Sequence, residues 1–342
     1  MQARTSVFLM MIMVCFSVLA VEPDLKMSQT APISDPLNLT KDSGLHPAAT
    51  NESWYISGFV ENEQSDKFAY YFVVHRVNGQ FSYFTQVLSM QTGQVIYKST
   101  EQAELSLATR QGINFKIGDG FLRYNDINDS WTFGVDSKEG FNLRVESLPM
   151  HSQAISHLNN VSFYSLQSKR VNGQLSKKNK SEFVTASNAW VAHQWGEPKP
   201  QANIQVERLL CRFLDNQGVM MVRAHQGNDV VFSLADLLDN YGESHPVSQF
   251  SIITQTDKSH WNVKLVSPKK GFDVLTEKPF KVAQGNASTD YYLGVVQEAN
   301  ENAGSCMIIK ENPIIVRADS AVPAKGADKY MAKLRQSASL MH

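Results

Sequence analysis

Charge of one sign is what this sequence conspicuously lacks: 32 Lys and Arg stand against 33 Asp and Glu, a net charge of −1. That balance leaves no basic face for nucleic acid and no electrostatic case for an anionic membrane surface. Cysteine is scarce as well, with 3 residues, which excludes a disulfide scaffold. No segment reaches the roughly 18 consecutive apolar residues that a membrane-spanning helix needs. There is no Gly-rich phosphate loop or Walker sequence, and no nucleophile-elbow glycine pattern. Before residue 150 no window shows a convincing helical apolar period.

What is present begins with a leader. Arg4 precedes an apolar run over 7–20 that ends at Ala20 before a polar, Pro-bearing segment. This reads as a secretory signal peptide over 1–20, so the mature protein is expected to be periplasmic or secreted. Residues 21–50, rich in Pro, Ser, Thr, Asp and Asn without periodicity, read as a flexible leader. Export leaves Cys211 and Cys306 in the mature chain, where a disulfide and two separate buried thiols are both open.

From Trp54 onward the pattern is strand after strand. Segments 53–60, 67–77 and 81–88 are rich in aromatic and β-branched residues, with Asn78-Gly79 as a hairpin turn between two aromatic runs. The second half repeats this over 161–168, 182–195, 204–214, 219–224, 250–254, 261–266, 291–297 and 306–310. One helix is expected, Ser233 to Gly242, from its Ser cap, Asp236 in the capping-box position and terminal glycine. Ala318 to His342, rich in Ala, Ser and Lys, reads as a weak helix or a disordered tail. Many short strands at this spacing predict an all-β chain of two tandem antiparallel β-barrels, each with room for one small ligand.

Between the halves, Asn188 to Gly196 packs Trp190, His193 and Trp195 into nine residues. As a strand it places His193 and Trp195 on one face and Trp190 on the other. Spacing alone favours a satisfied core histidine over a reactive one. The histidines at 151, 157, 193, 225, 245 and 260 show no close metal-ligand spacing, so neither metal nor cofactor is expected.

Four stretches, Glu52 to Gly58, Phe163 to Ser165 with Val171 to Leu175, Ala189 to Gly196 and Tyr291 to Val296, together resemble the AttH / hydroxyneurosporene synthase (carotenoid hydratase) family. Glu-Ser-Trp-Tyr-Ile-Ser-Gly (52–58) is similar to its opening Glu-Trp-Trp-Tyr-x-x-Gly. Phe-Tyr-Ser (163–165) with Val-Asn-Gly-Gln-Leu (171–175) is similar to its approach to the centre. Ala-Trp-Val-Ala-His-Gln-Trp-Gly (189–196) resembles its Ala-Trp-Met-Asp-His-x-Trp signature, and Tyr-Tyr-Leu-Gly-Val-Val (291–296) its late Tyr-Trp-x-Gly-Ala strand. The resemblance implies two lipocalin-like (calycin) barrels, over 51–188 and 189–316, followed by a tail from 317 to 342. It also implies a site of Trp54, Tyr55, Tyr164, Trp190, His193, Trp195 and Tyr292 for a hydrophobic small molecule, with His193 and Trp195 as candidate catalytic residues. An exporter complex is a further implied partner.

The chain departs from the family where acid chemistry would sit. Ala192 replaces the acidic residue before His193, Gln167-Ser168 replaces a Pro-Arg, and Met220 and Val222 stand where the hydratase branch carries a Tyr/Asp pair. Hydrating an isolated C=C bond needs a proton donor such as a buried carboxyl of raised pKa. Without one, the expected function is non-catalytic binding of a lipid- or isoprenoid-like ligand, with a hydratase or isomerase as the alternative. A carboxyl within about 3 Å of His193 would remove this ground for discounting catalysis.

Overall fold

The structure, a computed structural model, describes residues 34–104, 113–146, 154–158, 160–168, 170–177, 180–186, 189–197, 204–227, 229–241, 243–254, 259–284 and 287–312. The expected signal peptide and the C-terminal tail lie outside the described residues.

After β1 (Ser34–Pro36) and one helical turn, α1 (Leu39–Asp42), every further element among the described residues is a strand. The first group is β2 (Asn51–Asn62), β3 (Lys67–Val77), β4 (Gln80–Ser89), β5 (Val95–Glu104), β6 (Asn114–Ile117), β7 (Gly120–Asn125), β8 (Ser130–Val135) and β9 (Gly140–Glu146). Then come β10 (Ala154–Leu158), β11 (Val161–Ser168), β12 (Arg170–Lys177), β13 (Lys180–Ala186) and β14 (Ala189–Gly196). A second group follows: β15 (Ile204–Phe213), β16 (Gly218–Gln226), β17 (Asp229–Leu238), β18 (Ser244–Pro246) and β19 (Phe250–Thr254). It ends with β20 (His260–Leu265), β21 (Lys270–Thr276), β22 (Phe280–Gln284), β23 (Ala287–Glu298) and β24 (Glu301–Asn312).

Two antiparallel sheets result, one of 14 strands and one of 10, curled into a near-closed barrel and a half-barrel. This is the expected all-β, two-domain lipocalin-like class. In the first sheet β2 forks the topology, pairing with β3 along its length, with β14 over Asn51–Gly58 and with β13 at Glu61 and Asn62. The turn between β3 and β4 is the hairpin the sequence predicts, with Asn78 and Gly79 at φ 49° and 84°.

Strand β2 is buried on both faces, which explains its nearly unbroken apolar run. Trp54 and Ile56 enter the first barrel's core, with Phe72, Phe133 and Leu143. Tyr55 and Phe59 point the other way, into a cluster shared with Leu210, Tyr291 and Met307 of the second sheet.

Four expectations need correction or completion. The helix over 233–242 is replaced by β17, paired with β16 from Gly218 to Gln226. Its capping signals are local, and sheet pairing overrides them. The domain boundary at 189 moves, because β14 pairs with β11 and β2 in the first sheet, and the second sheet begins at Ile204. The flexible leader ends earlier than 50: Leu37, Leu39 and Leu45 pack on the first barrel's core. Cys211 and Cys306, opposite one another on β15 and β24, form a disulfide.

Candidate functional site

Antiparallel register assembles the candidate site from strands far apart in sequence. His193 on β14 faces Trp54 on β2 and Tyr164 on β11, while Trp195 faces Glu52. Period-2 alternation then puts Glu52, Trp54, Tyr164, His193 and Trp195 on one face. The rings interlock. Trp54 stacks on His193 at 4.7 Å, Tyr164 meets it edge-on at 5.7 Å, and Trp195 lies 4.8 Å away.

The segment before β2 closes this end of the barrel. His46 stacks on Trp195 with ring centroids 4.1 Å apart and planes 6° from parallel. The Trp54 indole N–H donates to the Ser43 carbonyl at 3.2 Å, and Ser43 Oγ meets the Tyr164 hydroxyl at 3.0 Å. His193 Nδ1 donates to the Asp42 carbonyl at 2.8 Å.

At the centre is Glu52, with a fully buried side chain. Its Oε1 accepts from the His46 backbone N–H at 2.9 Å and lies 2.9 Å from His46 Nδ1 and 3.1 Å from His193 Nε2. Its Oε2 lies 3.0 Å from Arg76 Nη2. The same guanidinium nitrogen donates to the carbonyls of His46 and Ala49, each at 2.7 Å. Burial pushes the Glu52 carboxyl up, but hydrogen bonds from His193 and His46 outweigh it and hold its pKa below the usual value.

Burial pulls the His193 imidazole pKa down, against the opposing pull of Glu52. A carbonyl only accepts, so Nδ1 carries a hydrogen and Nε2 is the atom turned toward Glu52. A neutral His193 beside an ionised Glu52 would set lone pair against lone pair. At 3.1 Å the two atoms are at hydrogen-bond distance, and one proton lies between them. Both ring nitrogens are committed, so His193 presents none to a substrate in this arrangement.

The expectation that no acid stands near His193 is thus corrected. The family's acidic position is Ala192, but Glu52 supplies the carboxyl from the neighbouring strand at 3.1 Å. Glu52 was visible in the opening motif; its pairing partner was not. His46 and Arg76 were also missed, because His46 lies in a segment read as flexible and Arg76 reads as a strand-end charge.

The expected binding residues divide among three places. Trp54, Tyr164, His193 and Trp195 share the site. Tyr55 and Trp190 lie in the cluster between the sheets. There Trp190 donates to the Cys211 carbonyl at 3.0 Å, and burial pushes the Tyr55 phenol up to about 12. Tyr292 sits in the second sheet's core, edge-on to Trp261 at 5.5 Å.

A cavity of about 190 Å³ opens at the other end of the first barrel, lined by apolar Phe68, Val87, Ile96, Tyr97, Phe141 and Leu175 together with charged Glu139, Lys177 and Glu182. A larger one, about 790 Å³, lies outside the barrel and is edged by charge, with Glu61, Glu63, Lys67 and Arg170 beside Phe59 and Phe183.

No protein-family model and no curated protein matches this sequence. Solved structures do match. A putative AttH from Nitrosomonas europaea superposes with a TM-score of 0.62 at 12% identity, over 82% of this chain and 98% of that one. Kievitone hydratase from Nectria haematococca superposes with a TM-score of 0.58 at 10% identity, over 81% of this chain and 93% of that one. At these identities the likeness is one of fold, and the fold it shows is a two-domain lipocalin-like architecture.

Proposed function

We propose that this protein binds a hydrophobic or amphipathic small molecule, of lipid or isoprenoid type, through its first barrel. The observation that carries this reading is the cavity, apolar over most of its lining, at the barrel end opposite Glu52 and His193. Small-molecule pockets usually span about 300–1,000 Å³. A cavity of about 190 Å³ therefore takes one arm of such a ligand and leaves the rest at the mouth. The other end of the barrel is filled by the Trp54–His193–Trp195 rings and covered by residues 37–50. The Cys211–Cys306 disulfide agrees with a periplasmic or secreted protein, since such bonds persist in oxidising compartments.

A second reading, hydration or isomerisation of a C=C bond in an apolar substrate, is favoured by one observation. Glu52 stands 3.1 Å from His193, among aromatic faces able to stabilise a cation. Against it, both ring nitrogens of His193 and both oxygens of Glu52 are engaged by neighbouring groups, at the barrel end away from the cavity.

Extraction of purified protein with organic solvent, followed by mass spectrometry, tests the binding reading. A stoichiometric apolar molecule is expected, lost when Phe141→Asp places a charge in the cavity. Turnover of an isoprenoid alkene that disappears in folded His193→Ala protein would instead establish the second reading.

A further inference from the structure

We propose that His46 Nδ1, Glu52 Oε1 and His193 Nε2 form a binding site for one first-row divalent metal ion, with zinc the first candidate. The three atoms lie within 4.8 Å of one another. Glu52 Oε1 is 2.9 Å from the His46 nitrogen and 3.1 Å from the His193 nitrogen. Metal–ligand bonds of about 2.0–2.1 Å, set about 90–110° apart, place neighbouring donor atoms about 2.8–3.4 Å from each other. Both of these distances fall within that range. Two imidazoles and one carboxylate are a donor set that suits zinc and its first-row neighbours.

The surroundings are those of a built site. A metal-bound histidine characteristically donates its second ring N–H to a carbonyl or carboxylate. His193 does so to the Asp42 carbonyl, at 2.8 Å, which aims Nε2 at Glu52. Glu52's other oxygen is held by Arg76, whose guanidinium also ties down the carbonyls on either side of the His46 turn. Each imidazole is fixed by an indole, His46 by Trp195 and His193 by Trp54. An ion would take the place of the proton that otherwise separates Nε2 from the carboxylate. His46, with 22% of its side chain exposed, gives the entry path. Cys211 and Cys306 are bonded to each other and do not compete as thiolate ligands.

The site stands on this geometry whether or not the barrel holds an apolar ligand, so metal uptake and lipid recovery are separate measurements. Full-length protein free of any purification tag is stripped with a chelator and titrated calorimetrically with Zn²⁺, and with Co²⁺ while visible absorption is recorded. We expect one equivalent bound, Co²⁺ bands of a nitrogen–oxygen site, and an affinity weakened at least about tenfold in His46→Ala. The exposed Asp239–Glu243–His245 group is the internal control, and His245→Ala should leave that affinity unchanged. Should His46→Ala fail to fold, diethyl pyrocarbonate labelling of the unaltered chain decides. Zn²⁺ should protect His46 and not His245. Absence of binding to folded protein, loss in His245→Ala in place of His46→Ala, or unprotected labelling of His46 overturns the proposal.

Discussion

Glu52 and Asp236 show two outcomes for a carboxyl taken out of water. Glu52 is fully buried, and hydrogen bonds from His193 and His46 hold its charge, with Arg76 Nη2 3.0 Å from its other oxygen. Asp236 on β17 is partly buried with one hydroxyl partner, Ser244 at 3.2 Å, and burial raises its pKa above 3.8 because that single bond does not compensate. A carboxyl raised on folding contributes stability that is fully present below its unfolded pKa and is lost as pH rises through the folded pKa. Asp236→Asn removes that loss. It should raise the urea midpoint modestly at pH 7 and leave it unchanged near pH 3. An equal gain at both pH values would assign the effect to something other than the charge. At this scale the sequence was legible as far as one strand reaches. The same-face placement of His193 and Trp195 follows from local alternation. Glu52, 141 residues from His193, depends on a register that no local pattern encodes.

Among elements, the short cap before β2 matters most for the site. A helix of four residues has little stability of its own. The cap is held instead by Asn38 at its N-cap, by the Leu37, Leu39 and Leu45 contacts with the core, and by Ser43, His46 and the Asp42 carbonyl in the site. Its composition, rich in Pro, Ser and Asp, reads as disorder because these partners lie on strands elsewhere in the chain. Deleting residues 34–50 should uncover Trp54 and Trp195, shift tryptophan emission to the red and lower the melting temperature. Unchanged emission in the truncated protein would show that the cap does not shield the rings. The hairpin at Asn78-Gly79 was legible for the opposite reason, since its turn chemistry is complete within two residues. At β17 local capping signals pointed to a helix, and pairing with β16 decided otherwise.

At the scale of the whole molecule, the strand count made two β domains legible and left hidden which faces join them. Strand β2 is apolar on both sides, and nothing along it distinguishes the face turned to its own barrel from the face turned to the second sheet. The structure shows that the junction is a true core. Tyr55, Tyr71, Phe84 and Trp190 from the first sheet pack with Leu210, Tyr291, Leu293 and Ile309 from the second. Trp190 stands at its centre, 2% exposed, with its indole N–H on the carbonyl of disulfide-bonded Cys211 and the Arg212 guanidinium over its ring. One buried residue therefore touches the second sheet by packing, by a hydrogen bond and by a cation–π contact. With this junction intact, the two sheets should unfold in a single calorimetric transition. Trp190→Ala should cost about 3–5 kcal/mol and separate that transition into two. Two well-separated transitions already present in the unaltered protein would mean that the sheets stand independently and that the junction only brings them together.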